Sequence, residues 1–228
     1  MAMKHQRVFI DHRSRRVRGH WVRLGLVCAV SAAGGCRFAG WAADAALGDA
    51  DESVEAVYKG LAGKRVAVLV AAPQATLYRH PQAPLKIGRC VSGHLAENVD
   101  GITLSDPAQL NTFHLRNPHW PAIPPSRLMQ RLGVERMVVI DLAEYATHEP
   151  GNAHVLQGIV VGRVGVSAAE ADHPDVQVFS QVVSARYPAG SPIGVVGGDE
   201  QTIELGMLDM FARRTAGLFH DHRRARPR

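Results

Sequence analysis

Cysteine and aromatic residues are both scarce in this 228-residue chain, which has three cysteines and 6% aromatics. Cys28, Cys36 and Cys90 offer no two-cysteine metal spacing, which removes zinc-ribbon and disulfide-framework folds. The apolar run from Leu24 to Ala33 spans ten residues, half of the ~20 a membrane-spanning helix needs. Catalytic signatures are missing too. A phosphate-binding loop needs Gly-x4-Gly-Lys-Ser/Thr after a strand; here Gly63-Lys64 precedes one, with Tyr58 and Arg65 at the flanking positions. Gly190-Ser191 runs into Pro192 and Ile193, so the Gly-x-Ser-x-Gly elbow of a hydrolase is absent. None of the twelve histidines falls in His-Glu-x-x-His. His220 and His222 lie two apart, a spacing that sends side chains in different directions if the closing helix carries them.

What is present begins at the amino terminus. Lys4, Arg7, Arg13, Arg15, Arg16, Arg18 and Arg23 face one acid, Asp11, ahead of the apolar run. That is the layout of a secretory signal peptide. Ala33-Gly34-Gly35-Cys36 follows, and it resembles the lipobox of bacterial lipoproteins, with Ala33 where that box usually has leucine. The resemblance implies cleavage before Cys36, acylation of Cys36 and a membrane anchor without a spanning helix. Cys90 is then left without a partner in the chain, and it reads as a small buried hydrophobe. Ser14-Arg15-Arg16 has Arg18 and Gly19 where a twin-arginine signal wants an apolar pair, so it reads as leader charge.

The formal charge of +5 divides at the same cysteine. Residues 1–35 hold seven basic side chains against one acid, leaving 19 against 20 in the rest. Basicity therefore belongs to the leader, and nucleic acid is not an expected partner. The mature part has one basic cluster, the tail with Arg223, Arg224, Arg226 and Arg228, which reads as solvated charge. The functional reading of that tail is contact with anionic lipid or cell-wall polymer. The expected organisation is a signal peptide over 1–35, a tether over 36–50, one domain over 51–222 and a basic tail over 223–228. A mature chain of this size buries a core without staples.

Within the domain, 51–61 reads as a short helix. Lys64–Ala71 is continuously apolar, the pattern of a strand covered on both faces. Residues 73–84 read as a proline-punctuated loop. Ile87, Val91, Leu95 and Val99 then recur at helical spacing, and Gly101–Leu104 is a short strand. Ser105-Asp106-Pro107 is a helix start, and Pro125–Leu132 a further helix stopped by Gly133. Val134–Tyr145, Leu156–Ser167 and Val176–Tyr187 are long strands joined by short connections, hence antiparallel. Asp199–His220, with Ile203, Met207, Phe211 and Leu218 on one side, closes the domain as a helix. The expected fold is α/β (α+β): a mixed sheet of about five strands in the order β-α-β-α-α-β-β-β-α.

Candidate site residues are few. Asp141 and Glu144 lie near the end of the strongest strand, where open α/β sheets often bind ligands, but strict alternation sends them to opposite faces. His119-Trp120-Pro121, in a proline-rich connection, is the most exposed-looking aromatic cluster and offers Trp120 and His119 as a partner contact. The competing reading of Trp120 is a staple that holds the loop to the body. Neither catalytic nor metal nor cofactor-binding residues are assigned.

The stretch Leu132-Gly133-Val134-Glu135-Arg136-Met137-Val138-Val139-Ile140-Asp141-Leu142, followed by two long strands and a closing helix, resembles a group of envelope proteins. That group comprises the curli-secretion lipoprotein, the TolB amino-terminal domain and the lipoprotein activators of penicillin-binding proteins. The resemblance covers about residues 60–220. It implies a mixed sheet with packed helices and a role in binding envelope components, and it transfers no functional residue. The expected protein is a non-enzymatic lipoprotein without cofactor, anchored through Cys36 and facing the periplasm, on the outer membrane before the inner. Its expected partners are envelope proteins or cell-wall components. An exported enzyme, metal-dependent through histidines gathered by folding, and a soluble periplasmic ligand-binding module stay open.

Overall fold

The computed structural model describes residues 52–149, 151–191 and 194–224. The expected signal peptide, Cys36 and the expected tether lie outside the described residues, as do residues 225–228 of the expected tail. The expected helix over 51–61 is instead a strand, β1 (Glu52–Val54), followed by loop and turn. The reason is competition for the backbone. The Ala56 amide donates to the Asp221 carboxylate at 2.8 Å and the Tyr58 amide to the Leu218 carbonyl at 2.9 Å. Amides spent on the far end of the chain cannot close helical turns.

β2 (Arg65–Ala71) is the buried strand that its apolar run predicts. The proline-rich loop holds a short helix, α1 (Gln74–Arg79). Pro73 stands just ahead of it, where a missing N–H costs nothing, and its carbonyl accepts from Leu77 at 3.0 Å. α2 (Ala83–Asn98) buries Ile87, Val91 and Leu95 along one side. After β3 (Thr103–Leu104), Asp106 caps α3 (Pro107–Arg116) by accepting from the Ala108 amide at 2.9 Å. A 3-10 turn at Trp120–Ala122 leads to α4 (Pro125–Leu132), stopped by Gly133 at φ +67°. Next come the long strands β4 (Arg136–Glu149) and β5 (Asn152–Ala168), then β6 (Phe179–Tyr187) and a short β7 (Val195–Val196). α5 (Glu200–Ala216) starts at Asp199, which accepts from the Gln201 and Thr202 amides, and β8 (His222–Arg224) follows.

The main sheet runs β3-β2-β4-β5-β6, with β7 beside β5. β3 and β4 flank β2 in parallel, and β5 and β6 continue antiparallel. One face packs under α2 and α5, through Ile87, Val91, Leu95, Met207 and Phe211. The other packs under α3, the 3-10 turn and α4, where Leu110, Trp120, Leu128 and Met129 meet Ala67, Leu69 and Met137. The fold is the mixed α+β sheet with packed helices that the strand pattern predicts. A separate two-stranded ribbon pairs β1 with β8, setting Glu52 opposite Arg224 and Val54 opposite His222.

Candidate functional site

The carboxyl ends of β2 and β4 open into a polar cleft. β2 delivers the chain to α1 and the His80-Pro81-Gln82 link, β4 overshoots the sheet as an arm with β5, and the start of α5 closes the third side. Two adjoining recesses of about 500 and 760 Å³ share Arg79, His80 and Glu200 in their walls. Crevices at the carboxyl ends of parallel strands are where open α/β sheets bind ligands.

Glu204 lines the first of these recesses. Its carboxylate accepts from Lys86 Nζ at 2.6 Å and from the Tyr145 hydroxyl at 2.7 Å, tying α5 to α2 and β4. Burial pushes the Glu204 carboxyl up, but these two donors outweigh it and hold it below the usual carboxylate range. Burial, and then the Glu204 hydrogen bond and charge, raise the Tyr145 phenol and keep it neutral. The His80 ring stands over Tyr145 with centroids 5.0 Å apart. Cys90, half-buried on α2, is raised by burial and by Asp209, so its thiol stays protonated.

A second network lies beside the first. Thr147, 3% exposed, gives its hydroxyl proton to Glu200 at 2.6 Å and sits 3.0 Å from His148 Nδ1. With the proton committed to Glu200, the His148 nitrogen acts as the donor to Oγ1. At 3% exposure the Thr147 hydroxyl is turned away from solvent and serves to join β4 to the start of α5. Among the described residues, no group of three or more His, Cys, Asp and Glu side chains is placed to hold a metal ion. Chemically the cleft presents fixed donors and acceptors of both signs, with Arg79 exposed at its rim.

The residues named from sequence fall elsewhere. Trp120 is 6% exposed and stacks on His114 with centroids 4.7 Å apart, while His119 is exposed. The expected pair is therefore divided, with the indole inside the second core. Strict alternation fails at Asp141 and Glu144 because β4 carries a bulge between Leu142 and Glu144. Val138, Ile140 and Leu142, and then Tyr145, face one core, so the extra residue at Ala143 returns Glu144 to the side that Asp141 occupies. The helix reading of His220 and His222 is corrected as well. α5 ends at Ala216, and their rings lie 5.3 Å apart beside the ribbon.

The cleft residues come from three separated stretches of chain, so no spacing motif announces them. One signal was available: Glu204 stands in register with Leu208 and Phe211, inside the stripe that α5 buries. A carboxylate in an apolar stripe needs partners, and Lys86 and Tyr145 are those partners.

No protein-family model matches this chain, and no curated protein matches it. Solved structures do. The PelC dodecamer from Paraburkholderia phytofirmans is 9% identical, with a TM-score of 0.46 over 74% of this chain and 96% of that one. Lipoprotein GNA1162 from Neisseria meningitidis is 16% identical, with a TM-score of 0.39 over 63% and 89%. Protein XCC0632 from Xanthomonas campestris is 10% identical, with a TM-score of 0.35 over 73% and 90%.

Proposed function

We propose that this chain is a non-enzymatic lipoprotein of the bacterial cell envelope. In this reading it is anchored in the outer membrane through Cys36, faces the periplasm, and binds other envelope components through the cleft. The observation that carries the reading is the leader, a basic lead and a ten-residue apolar run ending at Cys36. No helix among the described residues is long and apolar enough to cross a membrane. Attachment in this reading is through acyl chains on Cys36, on the strength of the lipobox-like Ala33-Gly34-Gly35-Cys36.

The placement of the cleft supports a binding role. The first residues of α2, Ala83 and Lys86, line the cleft, while its last, Asn98, lines a recess beside the ribbon together with Ala56, Lys59 and His220. A helix of sixteen residues separates those two ends by about 24 Å. The tether joins the domain at β1, so the cleft lies at the end of α2 away from that junction. Glu204, Lys86, Tyr145 and Thr147 are engaged with one another or with Glu200, which suits recognition by a preset surface better than proton transfer.

A photo-crosslinking side chain at Gln201, an exposed residue of the cleft wall, tests the reading in living cells. The expected result is a discrete adduct with one envelope component, lost when Arg79 is changed to Glu. Adducts no different from those formed at exposed His173 would contradict it.

A further inference from the structure

We infer that the free edge of β6 is a docking surface distinct from the cleft, and that it takes an acidic peptide segment in extended conformation as one more strand of the sheet. β6 ends the order β3-β2-β4-β5-β6, so among the described residues it pairs with β5 alone. Its nine residues, Phe179 to Tyr187, meet β5 residue for residue without a register shift. Successive residues of an antiparallel strand turn their N–H and C=O alternately toward one neighbour and the other. The Ser184 carbonyl accepts from Arg214 Nη1 of α5 at 2.5 Å, which sets Ser184, and with it Ser180, Val182 and Arg186, on the outward side. Edges are commonly closed by a proline, a lysine or a bulge. β6 has none of these.

Charge selects the occupant. Neither β5 nor β6 contains a carboxylate. Arg163 of β5 stands opposite Asp141 of β4, which offsets it. Arg186 and Arg214 are exposed, and their partners are neutral: the Gln157 side chain at 3.5 Å and the Ser184 carbonyl. Of the acids in neighbouring elements, Glu170 holds Arg136, Asp175 accepts from the Ser126 amide at 2.9 Å, and Asp209 holds Arg213. Asp172 lies in the loop before the strand. A second copy of β6 would bring two sets of the same arginines together, and like charges facing each other across strands are destabilising. An acidic strand meets them favourably. Its main chain supplies the ladder, and its carboxylates reach Arg186 and Arg214. Arg214 then exchanges a carbonyl for a carboxylate, the stronger acceptor for a guanidinium. Val182, 61% exposed, adds an apolar contact on the same strand.

The test presents the full chain, purified in detergent, to random phage-displayed peptides matched in length to the nine residues of β6. The expected result is enrichment of peptides rich in Asp and Glu. They should bind about tenfold more weakly to the double variant Arg186→Glu with Arg214→Glu, and to Val182→Pro. Raising salt to about 0.5 M should weaken them to a similar degree. Proline at 182 removes an outward amide, a position where an edge strand tolerates it, and unchanged denaturation midpoints establish that the variants are folded. If Val182→Pro unfolds, the double variant decides alone. A selection without acidic enrichment would overturn the inference. Acidic peptides that the variants still hold would overturn it too, assigning them to the basic leader, or to the cleft if Arg79→Glu releases them. Self-association of the chain that Val182→Pro abolishes would give the edge to a second copy instead, and would also overturn it.

Discussion

His114 is a titratable ring held where a charge is costly. It stacks on Trp120 with an interplanar angle of 7°, and its Nε2 is buried without a hydrogen-bond partner. Burial lowers its pKa from 6.5 to about 4. In the unfolded chain the ring takes up a proton near pH 6.5, and in the folded protein it stays neutral to about pH 4. The unfolded state therefore binds the extra proton throughout that window, so stability is full above it, falls as pH drops through it and levels off below. With a discount for the ring's partial exposure, the loss is about 1–2 kcal/mol. Urea denaturation of wild type and His114→Phe at several pH values checks this. The wild type should lose that much relative to the variant between pH 6.5 and 4, and parallel profiles would contradict the assignment.

At the scale of elements, the packing of α5 on the sheet depends on a missing side chain. A Cβ on Gly158 of β5 would stand 2.7 Å from Met207 Cβ and 3.1 Å from the Ile203 carbonyl, neither of which is a flexible tip. Gly158→Ala should therefore cost about 1–3 kcal/mol, measured as a shift of the denaturation midpoint, whereas an unchanged midpoint would mean that α5 sits farther from β5. The same scale shows how much was legible in advance. β2, α2, α4 and the three long strands were readable because each carries its own apolar period or its own stop, such as Gly133. β1 and β8 were not, since neither has an apolar face and each exists only by pairing with the other. α1 was hidden by its flanking prolines, which permit a helix between them as readily as a loop. The bulge at Ala143 left no mark in the residue pattern, and with it went the true side of Glu144. The cleft was illegible for a related reason: its parts meet only after α2, β4 and α5 have packed, so its one advance sign was Glu204 in an apolar stripe.

On the scale of the domain, the cleft and the ribbon lie at opposite ends of α2. One end of α2 lies beside the ribbon of β1 and β8. The other end carries the cleft, lined by Glu200 and Glu204. The proposed function rests on attachment through Cys36. The measurement that bears on this most directly is intact mass with membrane fractionation in a bacterial host, run beside a Cys36→Ala variant. The expected result is that the wild type loses residues 1–35, gains acyl mass and sediments with membranes, while the variant gains no acyl mass and does not sediment with them. A full-length wild-type chain that remains soluble in the cytoplasm would contradict it.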